Sequence, residues 1–311
     1  MERHVLSIPV KYKYLHQNYL ENHMKKRSES LVPYIFLFPA ILLLIIFNLL
    51  PAITTFKQSL YAASPIRGTG LVFVGFSNIS RVFTDPVFWK SAWVTLYFAI
   101  IVNPLQTILA LGLALFANQK LAGIKFFRSI YLLPVAVSIN VTAVVWGLMV
   151  DKNGGLINGI LNQIGLPNQP FLISPAQALM TIIMIISWKG VPYWSLFFIA
   201  ALQGIPVSAL EAAKIDGANQ WQLLTRITIP ILRPIILFVL VADTIINFTL
   251  FVPVQLLTQG GPQLSTNLVM YETYRRGFVY GDLGSSSVML VAMFVVILTV
   301  IGFQSLVLRS D

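Results

Sequence analysis

Six long apolar stretches dominate this chain and restrict what it can fold into. A helix needs about 20 apolar residues to cross roughly 30 Å of hydrocarbon. The six stretches that reach this length are approximately Val32–Thr54, Ala92–Ala117, Ser129–Val150, Ala176–Leu202, Ile231–Leu257 and Ser285–Leu308. Lipid cannot satisfy the edges of an open sheet, and the stretches are too long for tilted barrel strands. The sequence therefore predicts an all-α membrane protein with six transmembrane helices.

The composition agrees with lipid as the main solvent. Only 10% of the 311 residues are charged, whereas a soluble domain needs about a quarter. The net charge of +10 comes from basic residues between the apolar stretches and not from an aromatic-interleaved patch, so membrane lipid and not nucleic acid is the expected partner. No cysteine is present, and His4, His16 and His23 all precede the first stretch. We therefore expect no metal site and no thiol or histidine chemistry in the spans.

The basic residues also predict the orientation of the chain. With six spans, both termini lie on the same side of the membrane. The flanks on that side carry thirteen Lys and Arg residues, and the opposite flanks carry seven. Because basic residues favour the cytoplasmic side, the N- and C-termini are predicted to be cytoplasmic.

The predicted organisation is a polar N-terminal segment, residues 1–31, followed by one membrane domain, residues 32–311. No small-residue cleavage site follows the first apolar stretch, which favours an uncleaved span. No short-period repeat and no low-complexity linker divides the remainder.

The segment between the fourth and fifth spans, residues 203–230, does not have the character of a lipid-facing helix. Its pattern predicts a first short helix that begins near Pro206, with Ser208 as its cap and Glu211 in its first turn. Gly217 then supplies a tight turn. A second short helix is expected at about Asn219–Thr228, with Pro230 ending it and Pro234 opening the next span.

This segment resembles the EAA loop of the permease subunits of binding-protein-dependent ABC importers. That loop reads E-A-A, two residues, D-G-A, five residues, an apolar residue, two more, then I-x-L-P and a second proline. The matching positions here are Glu211, Ala212, Ala213, Asp216, Gly217, Ala218, Ile227, Pro230 and Pro234. Leu224 and Ile229 stand where phenylalanine and leucine are commoner.

The resemblance implies a type I ABC importer permease fold, which makes residues 32–311 a transmembrane permease domain of the bacterial plasma (inner) membrane. In that family the loop is a cytoplasmic coupling helix between helices 4 and 5 that docks into an ATPase subunit. The implied coupling residues are Glu211, Ala212, Ala213, Asp216, Gly217, Ala218, Leu224 and Pro230. The implied partners are a second homologous permease, two ATPase subunits and an extracytoplasmic solute-binding protein. No cofactor is expected in this chain, since the ATPase binds ATP and Mg²⁺.

A second resemblance indicates a sugar transporter. Thr258-Gln-Gly-Gly-Pro262 is similar to the T-x-G-G-P segment of the maltose-type permeases. Leu132-Leu-Pro134 and Trp188-Lys-Gly-Val-Pro-Tyr193 fit the same family. The pattern is similar to the first permease of glycerol-3-phosphate, oligosaccharide and polyol importers, so transport of sugars is expected, with glycerol phosphate as an alternative.

Two ionisable residues, Lys189 and Asp243, lie well inside the predicted spans, where a central charge costs about 2.5–3.5 kcal/mol. Lys189 has Tyr193 one turn further along the fourth span, and Asp243 has Asn247 one turn further along the fifth. One interpretation is a buried Lys189–Asp243 ion pair that only joins two helices. The other is a polar strip that lines a translocation path. Resemblance to the maltose-type permeases favours the second for Lys189, Gly190, Tyr193, Asp243, Asn247 and Leu250.

Rival functions fit the sequence less well. No phosphate-binding glycine loop that ends in Lys-Ser/Thr, no G-x-S-x-G and no H-E-x-x-H occurs, which argues against an ATPase or hydrolase. A proton-coupled secondary transporter is the better rival because an intramembrane Asp and Lys can relay protons. Such transporters usually carry two repeated halves in a longer chain.

Overall fold

A computed structural model describes residues 33–63 and 70–308. The predicted N-terminal segment 1–31 and Arg309 lie outside the described residues. The first seven helices are α1 (Pro33–Gln58), α2 (Ser77–Thr84), α3 (Pro86–Ala117), α4 (Ile124–Tyr131), α5 (Leu133–Ala136), α6 (Ile139–Met149) and α7 (Leu156–Gln163). The others are α8 (Ala178–Gln203), α9 (Val207–Ile215), α10 (Gln220–Gln222), α11 (Ile229–Phe248), α12 (Val252–Leu257), α13 (Val269–Tyr274) and α14 (Leu283–Leu308).

Five helical stretches in the described ranges are long and apolar enough to cross a membrane: α1, α3, α8, Gln220–Leu257 and α14. A sixth span results if Ile124–Ala136 and Ile139–Met149, which meet at 101°, are counted together. The prediction of six membrane-spanning segments is confirmed on that count.

The third span is not the continuous helix predicted at Ser129–Val150. It breaks where Val137 and Ser138 adopt extended backbone conformations. The Oγ of Ser138 then accepts a hydrogen bond from the amide of Val141, at 3.3 Å, and caps α6. A cap ends one helix and starts another because it satisfies amides that have no intrahelical partner.

Other helix boundaries in the structure also differ from the predicted ones. The second span begins at Pro86 and not at Ala92, because the Asp85 carboxylate accepts from the Val87 amide at 2.8 Å and Pro86 suits the first helical position. The fifth span, predicted as Ile231–Leu257, divides into α11 and α12. Pro230 does not end the preceding helix. A π-helical turn at Leu223–Thr228 continues directly into α11, and its wider winding accommodates the proline.

The chain divides into two compact units, residues 1–57 and 58–311. The described part of the first is α1 without Gln58; the most apolar window of α1 has no buried residue. In the second, α3 packs along α8 through Phe98, Val102, Ile182 and Ile186. Further along the same pair, Ala110 and Ala114 lie in a cluster with Phe198. Small residues at such a contact allow helix backbones to approach closely in a membrane.

A short antiparallel hairpin, β1 (Tyr61–Ala63) and β2 (Leu71–Phe73), follows α1, with Tyr61 opposite Phe73. The sequence did not predict these strands. Asn78 of α2 fixes the hairpin, because its Nδ2 donates to the carbonyl of Ser59 at 3.0 Å and to that of Tyr61 at 2.8 Å.

The T-x-G-G-P segment after α12 forms a compact, partly buried loop that its own hydrogen bonds hold together. Thr258 and Thr266 share a hydrogen bond of 2.8 Å between their hydroxyls, and Thr266 Oγ1 also donates to the Gly261 carbonyl at 2.7 Å. Gly260 has φ +81°, and a Cβ there would lie 2.8 Å from Asn267 Oδ1. Only glycine fits this conformation and this close approach.

An ion cluster of Asp85, Glu272, Arg275 and Arg276 joins the start of α3 to the end of α13 and the π-helical turn that follows it. Glu272 is 1% exposed and accepts from Arg275 at 3.2 Å and from Arg276 at 3.0 Å, and Arg276 also pairs with Asp85. Burial alone would lower the pKa of Arg276, but its hydrogen bonds to Glu272 and Asp85 outweigh burial and raise the pKa.

We expect Glu272→Ala to lower the free energy of unfolding by about 2–4 kcal/mol, because two partly buried arginines lose their shared partner. Thermal unfolding in detergent measures the change. Arg81→Gln is the control, since the Arg81–Asp282 pair is more exposed, at 55% for the arginine side chain, and should contribute less than about 1 kcal/mol. Equal losses in both variants would contradict the assignment.

Candidate functional site

A cavity of about 530 Å³ lies among α8, α11, the start of α12 and the broken third span. All six residues that the sequence assigned to a substrate path line it: Lys189, Gly190, Tyr193, Asp243, Asn247 and Leu250. The structure therefore brings together residues of the predicted fourth and fifth spans that are about fifty positions apart in the chain. Contact of these residues with a substrate stays a prediction.

Lys189 does not pair with Asp243. Among the ion pairs of residues 33–63 and 70–308, none joins these two side chains. The Lys189 ammonium instead donates to the backbone carbonyls of Pro134 and Val135, each at 3.1 Å, and to that of Val137. These carbonyls lie at the break in the third span, where a continuous helix would have used them.

Asp243 is 1% exposed and is held by one neighbour on α8. Trp194 Nε1 donates to its Oδ1 at 2.7 Å. Its Oδ2 has no hydrogen-bond partner within the described part of the chain. A buried carboxylate oxygen without a partner is costly, so such a group usually serves a ligand or a water molecule.

Asn247 belongs to a polar network that reaches α3 and α14. Its Nδ2 donates to Asn103 Oδ1 at 2.8 Å, and Asn103 Nδ2 donates to Thr244 Oγ1 at 3.0 Å. Gln304 Nε2 donates to the same threonine oxygen at 2.8 Å. The network fixes one N–H of the Asn247 amide and leaves its carbonyl oxygen free to accept.

Gly190 allows the α3 side chain Gln106 to reach the cavity. A Cβ at position 190 would lie 2.9 Å from Gln106 Cδ. Gln106 Nε2 donates to Ser187 Oγ at 3.2 Å, and both side chains are buried. The absence of a side chain at Gly190 is therefore what lets α3 contribute a polar group to the cavity wall.

Three polar contributors to the site were not predicted from the sequence: Asn103, Gln106 and Trp194. The first two are uncharged polar residues inside an apolar stretch, and the cost argument applied to Lys189 and Asp243 would have identified them as well. Trp194 carried no such signal, because its indole N–H finds a role only once α8 and α11 are placed side by side.

The segment after α8 forms an exposed helical hairpin of α9, α10 and the adjoining π-helical turn. Helix α9 closes with a Schellman motif, in which Ala218 N donates to Ala213 O and Gly217 N donates to Lys214 O, each at 3.0 Å. Gly217 has φ +84°, which confirms the predicted tight turn. Asn219 and Gln222 then form a capping box that starts the next helix.

Two details of this predicted hairpin are wrong. The N-cap of α9 is Pro206, and Ser208 makes no capping hydrogen bond. Glu211 is not in the first turn, because α9 starts at Val207. The other predicted coupling residues lie on the hairpin, with Leu224 in its π-helical turn and Pro230 at the start of α11. Ile215 and Trp221 are 86% and 70% exposed, an apolar surface of the kind that marks interaction sites.

Among residues 33–63 and 70–308, no group of three or more His, Cys, Asp or Glu side chains is placed to hold a metal ion.

Comparison with known proteins gives consistent matches over nearly the whole chain. Residues 22–310 match the family model described as "Binding-protein-dependent transport system inner membrane component". The chain is 34% identical over 276 residues to the sn-glycerol-3-phosphate transport system permease protein UgpA of Agrobacterium fabrum, covering 88% of this chain and 94% of the relative. It is also 34% identical over 289 residues to the trehalose/maltose transport system permease protein MalF of Thermococcus litoralis, covering 91% and 95% respectively.

A solved structure resembles the fold closely. One chain of a bacterial alginate ABC transporter, crystallised with an alginate pentasaccharide-bound periplasmic protein, aligns with a TM-score of 0.77 and 25% identity. The alignment covers 92% of this chain and 96% of that one.

Gly190→Ala should lower the free energy of unfolding by about 1–3 kcal/mol, because the new methyl displaces Gln106 from its buried hydrogen bond with Ser187. Thermal unfolding in detergent measures the loss. The matched control is Gly112→Ala in the interior of α3, where an added Cβ meets nothing within 4 Å and a gain of up to about 1 kcal/mol is expected. A Gly190→Ala variant as stable as the Gly112→Ala variant would contradict the packing argument.

Proposed function

We infer that this chain, which belongs to the family of binding-protein-dependent transport system inner membrane components, is one membrane-spanning permease subunit of an ATP-driven sugar importer. The cavity within the spans, apolar in most of its wall but carrying a few convergent polar groups, is the observation that carries the inference. In a helix bundle that serves only for packing, an unpartnered carboxylate oxygen and an amide network beside an open space of this size would only lower stability. In a translocation path, the same groups can bind a hydroxyl-rich solute.

The cavity supplies this chain's half of the translocation path. Lys189, Gly190, Tyr193, Asp243, Asn247 and Leu250 form its wall. Asp243 and Asn247 offer hydrogen-bond acceptors to sugar hydroxyls, and the Tyr193 ring offers an apolar face, which is the usual combination in ligand pockets. The path opens to one side of the membrane at a time, by alternating access.

The helical hairpin is the cytoplasmic coupling helix. Its surface consists of Glu211, Ala212, Ala213, Asp216, Gly217 and Ala218, with Leu224 and Pro230 anchoring it to α11. The alanines permit close approach, and a carboxylate can pair with an arginine of the ATPase. The hydrogen bonds of the Schellman motif and the capping box join residues of the hairpin to one another. The hairpin can therefore transmit a movement as a rigid body.

The complete importer contains a second homologous permease, two ATPase subunits that bind ATP and Mg²⁺, and an extracytoplasmic solute-binding protein. The alginate transporter that shares this fold was solved with a periplasmic protein, which supports the last partner. The excess of basic residues on one set of flanks supports a cytoplasmic location for both termini and the helical hairpin.

Import of glycerol phosphate is the second candidate, because the relative from Agrobacterium fabrum is named for sn-glycerol 3-phosphate transport. The relative from Thermococcus litoralis is named for trehalose and maltose. Both share the same level of identity with this chain, so the choice between them depends on the chemistry of the cavity.

Gentle solubilisation of the tagged chain tests the assembly. A second six-helix permease and an ATPase should co-purify with it in fixed ratio. Isolation of the chain alone or as a homo-oligomer, under conditions that preserve known importers, would contradict the proposal.

Gly217→Val should uncouple ATP hydrolysis from transport, because a β-branched residue is strained at φ +84° and would deform the helical hairpin. Glu211→Lys should do the same by reversing the charge offered to the ATPase. Uptake and ATPase activity are measured together in proteoliposomes. Gly165→Val is the matched control, since Gly165 has φ +79° and equally open surroundings but lies outside the hairpin. Normal coupling in both hairpin variants would refute the assignment.

Asp243→Ala should raise the apparent substrate constant at least about fivefold, because a buried hydrogen-bond acceptor is lost. Uptake kinetics measure the change, and co-purification of the ATPase shows whether assembly is intact. Asp151→Ala removes a carboxylate that lies outside this cavity and should leave the constant unchanged. Normal transport by the Asp243 variant would return Asp243 to a structural role.

A further inference from the structure

The break in the third span creates a problem that lipid cannot solve. A continuous helix would engage the carbonyls of residues 134–137 in i to i+4 hydrogen bonds, and the extended backbone at Val137 and Ser138 removes that possibility. In the interior of a membrane, unsatisfied backbone groups are tolerated only where protein groups or water engage them. Another part of this chain must therefore supply hydrogen-bond donors at the break.

The side chain of Lys189 supplies hydrogen-bond donors at the break. Its ammonium donates to Pro134 O and Val135 O at 3.1 Å each, and to Val137 O. A lysine ammonium has three N–H donors and no acceptor. All three are directed at backbone carbonyls of the break, which leaves none for a ligand in the cavity. The positive charge is at the same time solvated by three carbonyl dipoles.

The cavity keeps no uncommitted positive charge for a ligand. Among the described residues that line the cavity, Lys189 is the single basic side chain and Asp243 the single acidic one. Asp243 Oδ2 has no partner in residues 33–63 or 70–308. Asn247 has committed one N–H to Asn103 and keeps its carbonyl oxygen. A phosphate or carboxylate group would therefore meet no free cation to balance its charge and would lie beside the Asp243 carboxyl group, whereas neutral hydroxyls can donate to the open oxygens.

We propose that Lys189 is a positioning residue that fastens the break between α5 and α6 to α8, and that the cavity it shapes admits uncharged, hydroxyl-bearing solutes and excludes phosphorylated or carboxylated ones. This inference rests on the proposed function, which it narrows to neutral sugars or polyols. The same contacts fix Val135 and Ile139, which form the wall of the cavity on the side of the third span.

A ligand-binding role for Lys189 would require the ammonium to leave its present partners. The carbonyls of Val135 and Val137 would then lose their donor at the point where the helix is already interrupted, and that of Pro134 would keep only the Val137 amide, at 3.3 Å. The bound anion would also have to lie in the cavity that Asp243 lines. Both costs rise when water is excluded from the path, because polar groups are then satisfied by protein alone.

Saturation-transfer NMR on the purified permease–ATPase complex, without the solute-binding protein, tests the selectivity. Trehalose and sn-glycerol 3-phosphate are the two probes. We expect saturation transfer to trehalose, reduced at least about fivefold in Asn247→Leu, and none to glycerol 3-phosphate. Saturation transfer to glycerol 3-phosphate that disappears in Lys189→Met would overturn the proposal.

Distance measurement between two spin labels tests the positioning role. The chain contains no cysteine, so Leu133→Cys on α5 and Met184→Cys on α8, both exposed positions, label only the intended sites. In Lys189→Met the α5–α8 distance distribution should broaden, and in Lys189→Arg, which retains the donors, it should stay narrow. Tyr193→Phe, on the same face of α8, is the control with an unchanged distribution.

A Lys189→Met complex with an unchanged distance distribution but lost trehalose saturation transfer would overturn the positioning role, since Lys189 would then act on the ligand. These outcomes are distinct from failure of the proposed function. If no second permease or ATPase co-purifies, the importer assignment fails before either experiment is reached.

Discussion

A backbone inside a membrane must satisfy its own hydrogen bonds, and the cavity of this protein depends on how that requirement is met at one place. Helices α5 and α6 meet at a break in the third span, and a 101° bend separates the two arms of that span. The ammonium of Lys189 compensates the carbonyls released there. Without the break, a straight third span would offer no free carbonyls, and the Lys189 ammonium in α8 would lack its present acceptors. Without the cation, the break would carry unsatisfied backbone groups. The two features explain each other, and the cavity lies beside them.

The sequence predicts the features of this fold that depend on neighbouring residues. Features governed by neighbouring residues were predicted well. The apolar stretches gave the spans, and the Asp216-Gly217 pair gave a turn that the structure forms with φ +84° at the glycine. The cost of burying ionisable groups identified Lys189 and Asp243 as unusual, and both line the cavity. Each of these inferences needed only local spacing or the properties of one residue type.

Features that depend on how helices face each other were not predictable in this way. The partner of Lys189 is a set of carbonyls more than fifty positions earlier, exposed by a break that no proline or glycine at Val137–Ser138 announces. The partner of Asp243 is Trp194, an aromatic residue that sequence alone does not distinguish from packing residues. Pro230 was expected to end a helix and does not, because a π-helical turn precedes it. In all three cases a tertiary contact or a local change of winding decided the outcome.

The energy source of transport tests the central claim most directly. Proteoliposomes that contain this chain with its second permease, ATPase and solute-binding protein are loaded with ATP, and uptake of a neutral sugar is followed with and without a proton ionophore. For an ATP-driven importer, we expect uptake that requires internal ATP and persists when the ionophore collapses the proton gradient. Uptake that proceeds without ATP and stops with the ionophore would contradict it, and would identify the Asp243 and Lys189 region as part of a proton-coupled carrier.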